Sequence, residues 1–229
     1  MDVRQFAIIT ALACGPLFSG CGGSEFGESV SVPQERHTGV ADYFSAGQTV
    51  TLPKDAPFNV ADAQRGSNGG GTSESHADPA GKASCWASAQ KGGDARAEFQ
   101  LGQVIDNRGS TPLEATVRVR VEYAYSFEGD RLIRDRAPDS FGLKFYIMDS
   151  DKRVLNRVKL AELTDALGPK GWSGVQTQTF DVRFAPGLAY HLVLAGRVEV
   201  GSTESYPAAG RIDVQSLQIE LLPRGVAAR

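Results

Sequence analysis

From Thr116 to Tyr125 the chain alternates: Val117, Val119, Val121, Tyr123 and Tyr125 share one face, and Thr116, Arg118, Arg120 and Glu122 share the other. A period of two matches side chains that point to opposite sides of a pleated strand, so this is a half-buried antiparallel strand with both tyrosines on the core side. Phe99, Leu101 and Ile105 make a similar face, and the stretch Asp106-Asn107-Arg108-Gly109-Ser110-Thr111-Pro112 between the two strands reads as a turn. Leu143, Phe145 and Ile147 alternate again and run into Asp149-Ser150-Asp151-Lys152, a hairpin turn leading to Val154–Leu160. Phe180, Val182 and Phe184 alternate with Asp181 and Arg183 until Ala185-Pro186-Gly187 breaks the strand. Residues 189–200 are apolar on both faces, as expected of a central strand. Ile212 and Val214 are out of phase with Leu217, Ile219 and Leu221, so keeping both sets inside requires an extra residue near Gln215-Ser216, a β-bulge.

Seven or eight strands at this spacing predict an all-β domain, an antiparallel β-sandwich of jelly-roll or immunoglobulin-like type, between which the pattern does not choose. The expected organisation is a signal segment over 1–20, a flexible tether over 21–47, the sandwich over 48–223 and a short tail over 224–229. Within the sandwich, the Gly- and Ser-rich stretch at about 61–84 reads as a long loop. The one helix candidate is short, about Lys159–Leu167.

The N-terminal residues change the picture of where this domain works. After Arg4, the run Phe6-Ala7-Ile8-Ile9 and Ala11-Leu12-Ala13 is apolar, but it is too short and too interrupted by Gly15 and Pro16 to span a bilayer. Phe18-Ser19-Gly20-Cys21 follows. This segment resembles the lipobox of bacterial lipoproteins: a large apolar residue, two small ones, then the cysteine that is acylated before cleavage. Phe18 stands where leucine is commonest. The resemblance implies a lipid on Cys21 and attachment to a membrane, and Gly22 rather than aspartate after it implies the outer membrane if the cell has one. Ala11-Leu12-Ala13 also fits an ordinary small-x-small cleavage site, which leaves a soluble periplasmic or secreted protein as the lesser alternative.

Composition adds exclusions. A formal charge of −3 gives the chain no electrostatic pull toward nucleic acid. Cys14, Cys21 and Cys85 make neither a disulfide framework nor a Cys-x-x-Cys metal pair, and His37, His76 and His191 are too scattered to suggest a metal site; no cofactor is indicated. Ser84-Cys85-Trp86-Ala87 resembles the segment around the nucleophile of papain-like cysteine proteases. The short Gly-rich continuation, Pro79 at the oxyanion position, and the lack of any asparagine after Asn156 to orient His191 argue against that chemistry. Asp149 and Asp151 could hold calcium, but without further spaced carboxylates a hairpin turn explains them better. Arg131, Arg134 and Arg136, interleaved with acids, read as a solvated loop. No residue is nominated as catalytic.

What remains is a binding surface. Trp86, Trp172 and Tyr146 sit near turns or strand ends, where an aromatic face can stack on a sugar ring. The expectation is a non-enzymatic, membrane-anchored envelope protein that binds a carbohydrate or protein partner. The alternatives are a jelly-roll hydrolase acting on envelope polysaccharide, or a structural subunit of an envelope assembly. Fatty-acid labelling of cells producing the chain is expected to mark the wild type and to vanish with Cys21→Ser; label persisting in the variant would place the anchor elsewhere.

Overall fold

A computed structural model describes residues 40–129, 141–162, 171–202 and 207–224. The signal segment with Cys21, most of the tether, the Arg131–Arg136 stretch and the tail beyond Arg224 lie outside them. The elements are α1 (Val40–Ser45), β1 (Val50–Leu52), β2 (Val60–Asp78), β3 (Lys82–Asp106), β4 (Leu113–Gly129), β5 (Phe141–Asp149), β6 (Val154–Glu162), β7 (Gly171–Phe184), β8 (Ala189–Gly201) and β9 (Ala208–Arg224). The domain is all-β and antiparallel, as the alternation requires. Among the described residues no helix is long and apolar enough to cross a membrane.

The two separate layers expected of a sandwich are replaced by one hydrogen-bonded sheet of nine strands, nearly closed like a barrel. Its order is β6-β5-β8-β3-β9-β4-β7, with β1 beside β9 and β2 beside β3. The reason is the length of β3. Its first part, Ala83–Ala89, pairs with β9, and its second part, Asp94–Asp106, pairs with β8. One strand thereby belongs to both halves of the structure, with Lys91–Gly93 forming the bend between its two paired parts.

The junction is built from glycine. β2 and β3 form a long hairpin whose register shifts between Asn68 and Gly70. Gly69 and Gly92 take left-handed backbone angles (φ 61° and 78°) and Lys91 does so at φ 52°. A methyl group on Gly70 would lie 2.1 Å from Gln90 O, and one on Gly71 only 2.0 Å from Asp94 O. The Gly-rich stretch expected to be a loop is thus a strand, and its glycines let two backbones cross at the bend. Beyond the bend β2 returns along itself, so that Ser73 Oγ donates to Gly66 O (3.1 Å) and Ser75 Oγ to Gln64 O (2.9 Å).

Inside the fold one apolar core receives Val117, Val119, Val121 and Tyr123 from β4, Phe141, Leu143, Phe145 and Ile147 from β5, and Leu192, Leu194 and Val198 from β8. β8 is buried on both sides, as its composition predicts. The predicted bulge is present: Glu122 faces Ser216 and Tyr123 faces Val214, which leaves Gln215 as the extra residue. Asp149 forms the expected hairpin turn, its Oδ1 accepting from the backbone of Asp151 and Arg153 at 2.9 Å each.

Three other expectations are corrected. The helix candidate at Lys159–Leu167 begins as strand β6, because Val158 and Ala161 pair with Phe145 and Leu143 of β5; residues beyond Glu162 lie outside the described set. The last residues assigned to the tether form α1, which docks because Val40, Ala41 and Phe44 are buried, Phe44 standing edge-on to Phe184 at 4.8 Å. Arg224, assigned to the tail, ends β9 and bonds Thr116 and Asp181 across β4 and β7. Asn107, read only as a turn residue, is buried: its amide donates to Thr111 O and Phe184 O and ties two turns together.

One polar bond spans the core. A second bulge leaves Leu160 unpaired, since Leu143 faces Ala161 while Lys144 faces Lys159. The carbonyl of Leu160 accepts from the buried hydroxyl of Tyr123 at 2.6 Å, which joins β4 to β6 from opposite ends of the sheet. Burial and the neighbouring Tyr125 push the Tyr123 phenol from 10.0 up to about 12. The phenol ionises more easily when unfolded, so its contribution is complete below pH 10 and is lost as pH rises toward 12. Tyr123→Phe orphans a buried carbonyl and is expected to cost about 1–3 kcal/mol in urea unfolding at neutral pH, a difference that shrinks above pH 10. Equal stability of the two proteins at pH 7 would show that the bond does not clasp the fold.

Candidate functional site

The outer faces of the two halves differ. On β4, β7 and β9 the outward positions are polar and solvated: Arg118 pairs with Glu220, and Arg211 with Asp213. On β3, β8 and β5 the outward side is sunk below the surface, and it contains charge.

Cross-strand register sets the ranks of this face. Asp62 of β2, Gln100 of β3, Ala195 of β8 and Lys144 of β5 stand side by side. The next rank is Gln64, Glu98, Arg197 and Gly142; beyond it Arg96 faces Glu199. Glu98 Oε1 lies 2.8 Å from Arg96 Nε and 3.2 Å from Arg197 Nε, and Arg197 also bonds Glu199. The side chains of Glu98 and Arg197 are only 13% and 10% exposed, so this network sits where charge–charge hydrogen bonds are weakly screened. Gln100 Oε1 is buried with no hydrogen-bond partner among the described residues. Asp62 beside it is half-buried, and desolvation raises its carboxyl above the ordinary 3.8.

Farther along the same face the polar ranks give way to a second apolar cluster of Val60, Val104, Tyr146, Met148, Val193 and Ala195. Lys144 and His191 are buried beside it. The face therefore has a half-open polar end on β2 and β3 and a closed end on β5 and β8.

The three aromatic residues singled out from the sequence do not meet. Tyr146 is fully buried in the second apolar cluster. Trp86 is half-buried on the outer side of the other half, in register with Glu74 and Arg211. Trp172, 37% exposed, begins β7; its ring covers Gly174 and lies 4.6 Å from Tyr123. Cys85 is completely buried among core side chains, and desolvation pushes its thiol well up, away from thiolate chemistry. His191 lies on the opposite side of the sheet, because its neighbours Leu192 and Leu194 face the core. No group of three or more potential metal ligands occurs among the described residues.

Sequence reasoning passed over Arg96, Glu98, Gln100 and Arg197. A signal was available: an arginine inside a strand that is apolar on both faces must meet a counter-charge, and β3 supplies Glu98 on the matching phase.

No family model matches the chain, and no curated protein matches it either. A solved structure, the Spr0440 glycoside hydrolase domain, endo-D of Streptococcus pneumoniae R6, is similar over 69% of this chain at 14% identity and a TM-score of 0.28. The alignment covers 21% of that chain's length.

The fold penalises the ionised form of Asp62, so stability at this position falls as pH rises from below 3.8 through the raised folded value. Asp62→Asn is expected to raise the urea midpoint at pH 7 and to leave it unchanged near pH 3. A drop at pH 7 would mean that the carboxylate is stabilised by its surroundings.

Proposed function

We propose that this chain is an exported, lipid-anchored envelope protein whose domain binds a carbohydrate without cleaving it, on the half-open polar end of the outer face formed by β2, β3 and β8. One observation supports the reading above the others: the Arg96–Glu98–Arg197–Glu199 network occupies the ranks next to that of Gln100, whose carbonyl oxygen is buried without a partner among the described residues. Sugar hydroxyls both donate and accept, and they suit a surface where amide, carboxylate and guanidinium groups are fixed at strand spacing on a rigid sheet. A ligand hydroxyl donating to Gln100 Oε1 would satisfy an atom that is costly to leave unpaired.

Binding is preferred to hydrolysis because Glu98, a carboxylate only 13% exposed, accepts a hydrogen bond from Arg96 and is ion-paired with Arg197, and so is held in a structural role. The lipid on Cys21 and the polar chain after it would hold this face near the membrane, where envelope glycans are its natural ligands.

Titration calorimetry of the purified protein with envelope polysaccharide fragments is expected to show binding, and Gln100→Ala to weaken it about tenfold with the circular dichroism spectrum unchanged. Undiminished binding by Gln100→Ala, or no binding of any fragment by folded protein, would remove the proposal. Recovery of shortened fragments would replace it with the hydrolase.

A further inference from the structure

A sheet that does not close has edges, and this one treats its edges differently. Along β2 the serine hydroxyls of Ser73 and Ser75 cap the carbonyls of Gly66 and Gln64, so the hairpin covers its own margin. At β6 the register shifts twice, and the exposed Arg157 and Lys159 stand on the strand. Bulges and cations are the usual protection of an edge against pairing with another chain. β7 has neither. It runs in unbroken register along β4 from Phe184 to Gly171, and among the described residues it pairs with no other strand. Gly171–Phe180 contains no charge and no proline, and Val175 and Trp172 stand exposed on it.

We infer that β7 is a dimer edge, pairing antiparallel with β7 of a second copy of this chain about a two-fold axis through Gln176. A second copy fits because an uncharged edge offers no counter-charge to a charged strand, whereas its own image pairs without any like charges opposed. Centred on Gln176, Val175 meets Thr177, Gly174 meets Gln178 and Trp172 meets Phe180, with even-numbered residues of both copies on the core side. The first charged residue, Asp181, falls outside the paired stretch and is already bonded to Thr116 and Arg224. The exposed Trp172 gains an aromatic cross-strand neighbour, one of the pairings that stabilises sheets. β6 of a second copy is a poorer choice, since its bulges break the repeat that β7 presents.

Sedimentation equilibrium of the full chain, solubilised in density-matched detergent, tests this. The wild type is expected to be dimeric. Val175→Lys with Thr177→Lys places two lysine pairs across the axis and is expected to raise the dissociation constant about tenfold or more. Val175→Lys with Thr177→Glu places lysine opposite glutamate in the same register and is expected to restore the dimer. A monomeric wild type overturns the proposal. So does a dimer indifferent to the two lysines, which would put the interface elsewhere. Equal weakening by the lysine–glutamate variant would overturn the register. Circular dichroism of each variant separates dissociation from unfolding.

Discussion

Straightened, β3 would be about 80 Å long at the usual rise of a strand, whereas a domain of this size has a radius of gyration of about 16 Å. The hairpin β2–β3 must therefore turn back within its own length, and everything else follows from where it turns. Glycines on both strands meet at one point, and their missing side chains let Gln90 O and Asp94 O approach the opposite backbone. On either side of this crossing β3 recruits a different partner, β9 on one and β8 on the other. The chain of β3 runs through the bend while the sheet folds over, so the apolar sides of the two halves face each other and are buried together.

The far ends of the sheet then need a clasp, and Tyr123 provides it. Its hydroxyl crosses from β4 to the carbonyl that the β6 bulge releases. The ring of Phe145 stacked 6.0 Å from Phe180 supports the same closure from β5 to β7. The closure leaves β6 and β7 at the margins of the sheet, and the folding-over gives β3 and β8 an outer side of their own. That outer side is where Glu98 and Arg197 lie, one on each strand, so the central position of β3 in the fold also places the polar face.

Much of this was legible in the alternation of residues. β4 could be read position by position, β8 declared its burial by being apolar on both faces, and the change of phase between Val214 and Leu217 located the bulge at Gln215. In each of these the side chains carry the signal. β2 could not be read in the same way, because it lies at a margin, contributes little to the core, and is specified by backbone crossing; its glycines look like those of a loop. β6 misled because Lys159–Leu167 has charges at helical spacing, while the pairing of Val158 and Ala161 with β5 is a tertiary contact. The polar face was hidden for a similar reason. Glu98 and Arg197 are almost a hundred positions apart, and only the register of β3 with β8 makes them neighbours.

The central claim is that one strand serves both halves of a single folded sheet. Nuclear Overhauser contacts along β3 test it directly. The account predicts contacts between Cys85 and Ile212 and between Phe99 and Gly196 in the same molecule, both persisting at equal intensity as the protein is diluted. Finding only one of the two sets, or losing one set on dilution, would show that the halves are not joined through β3.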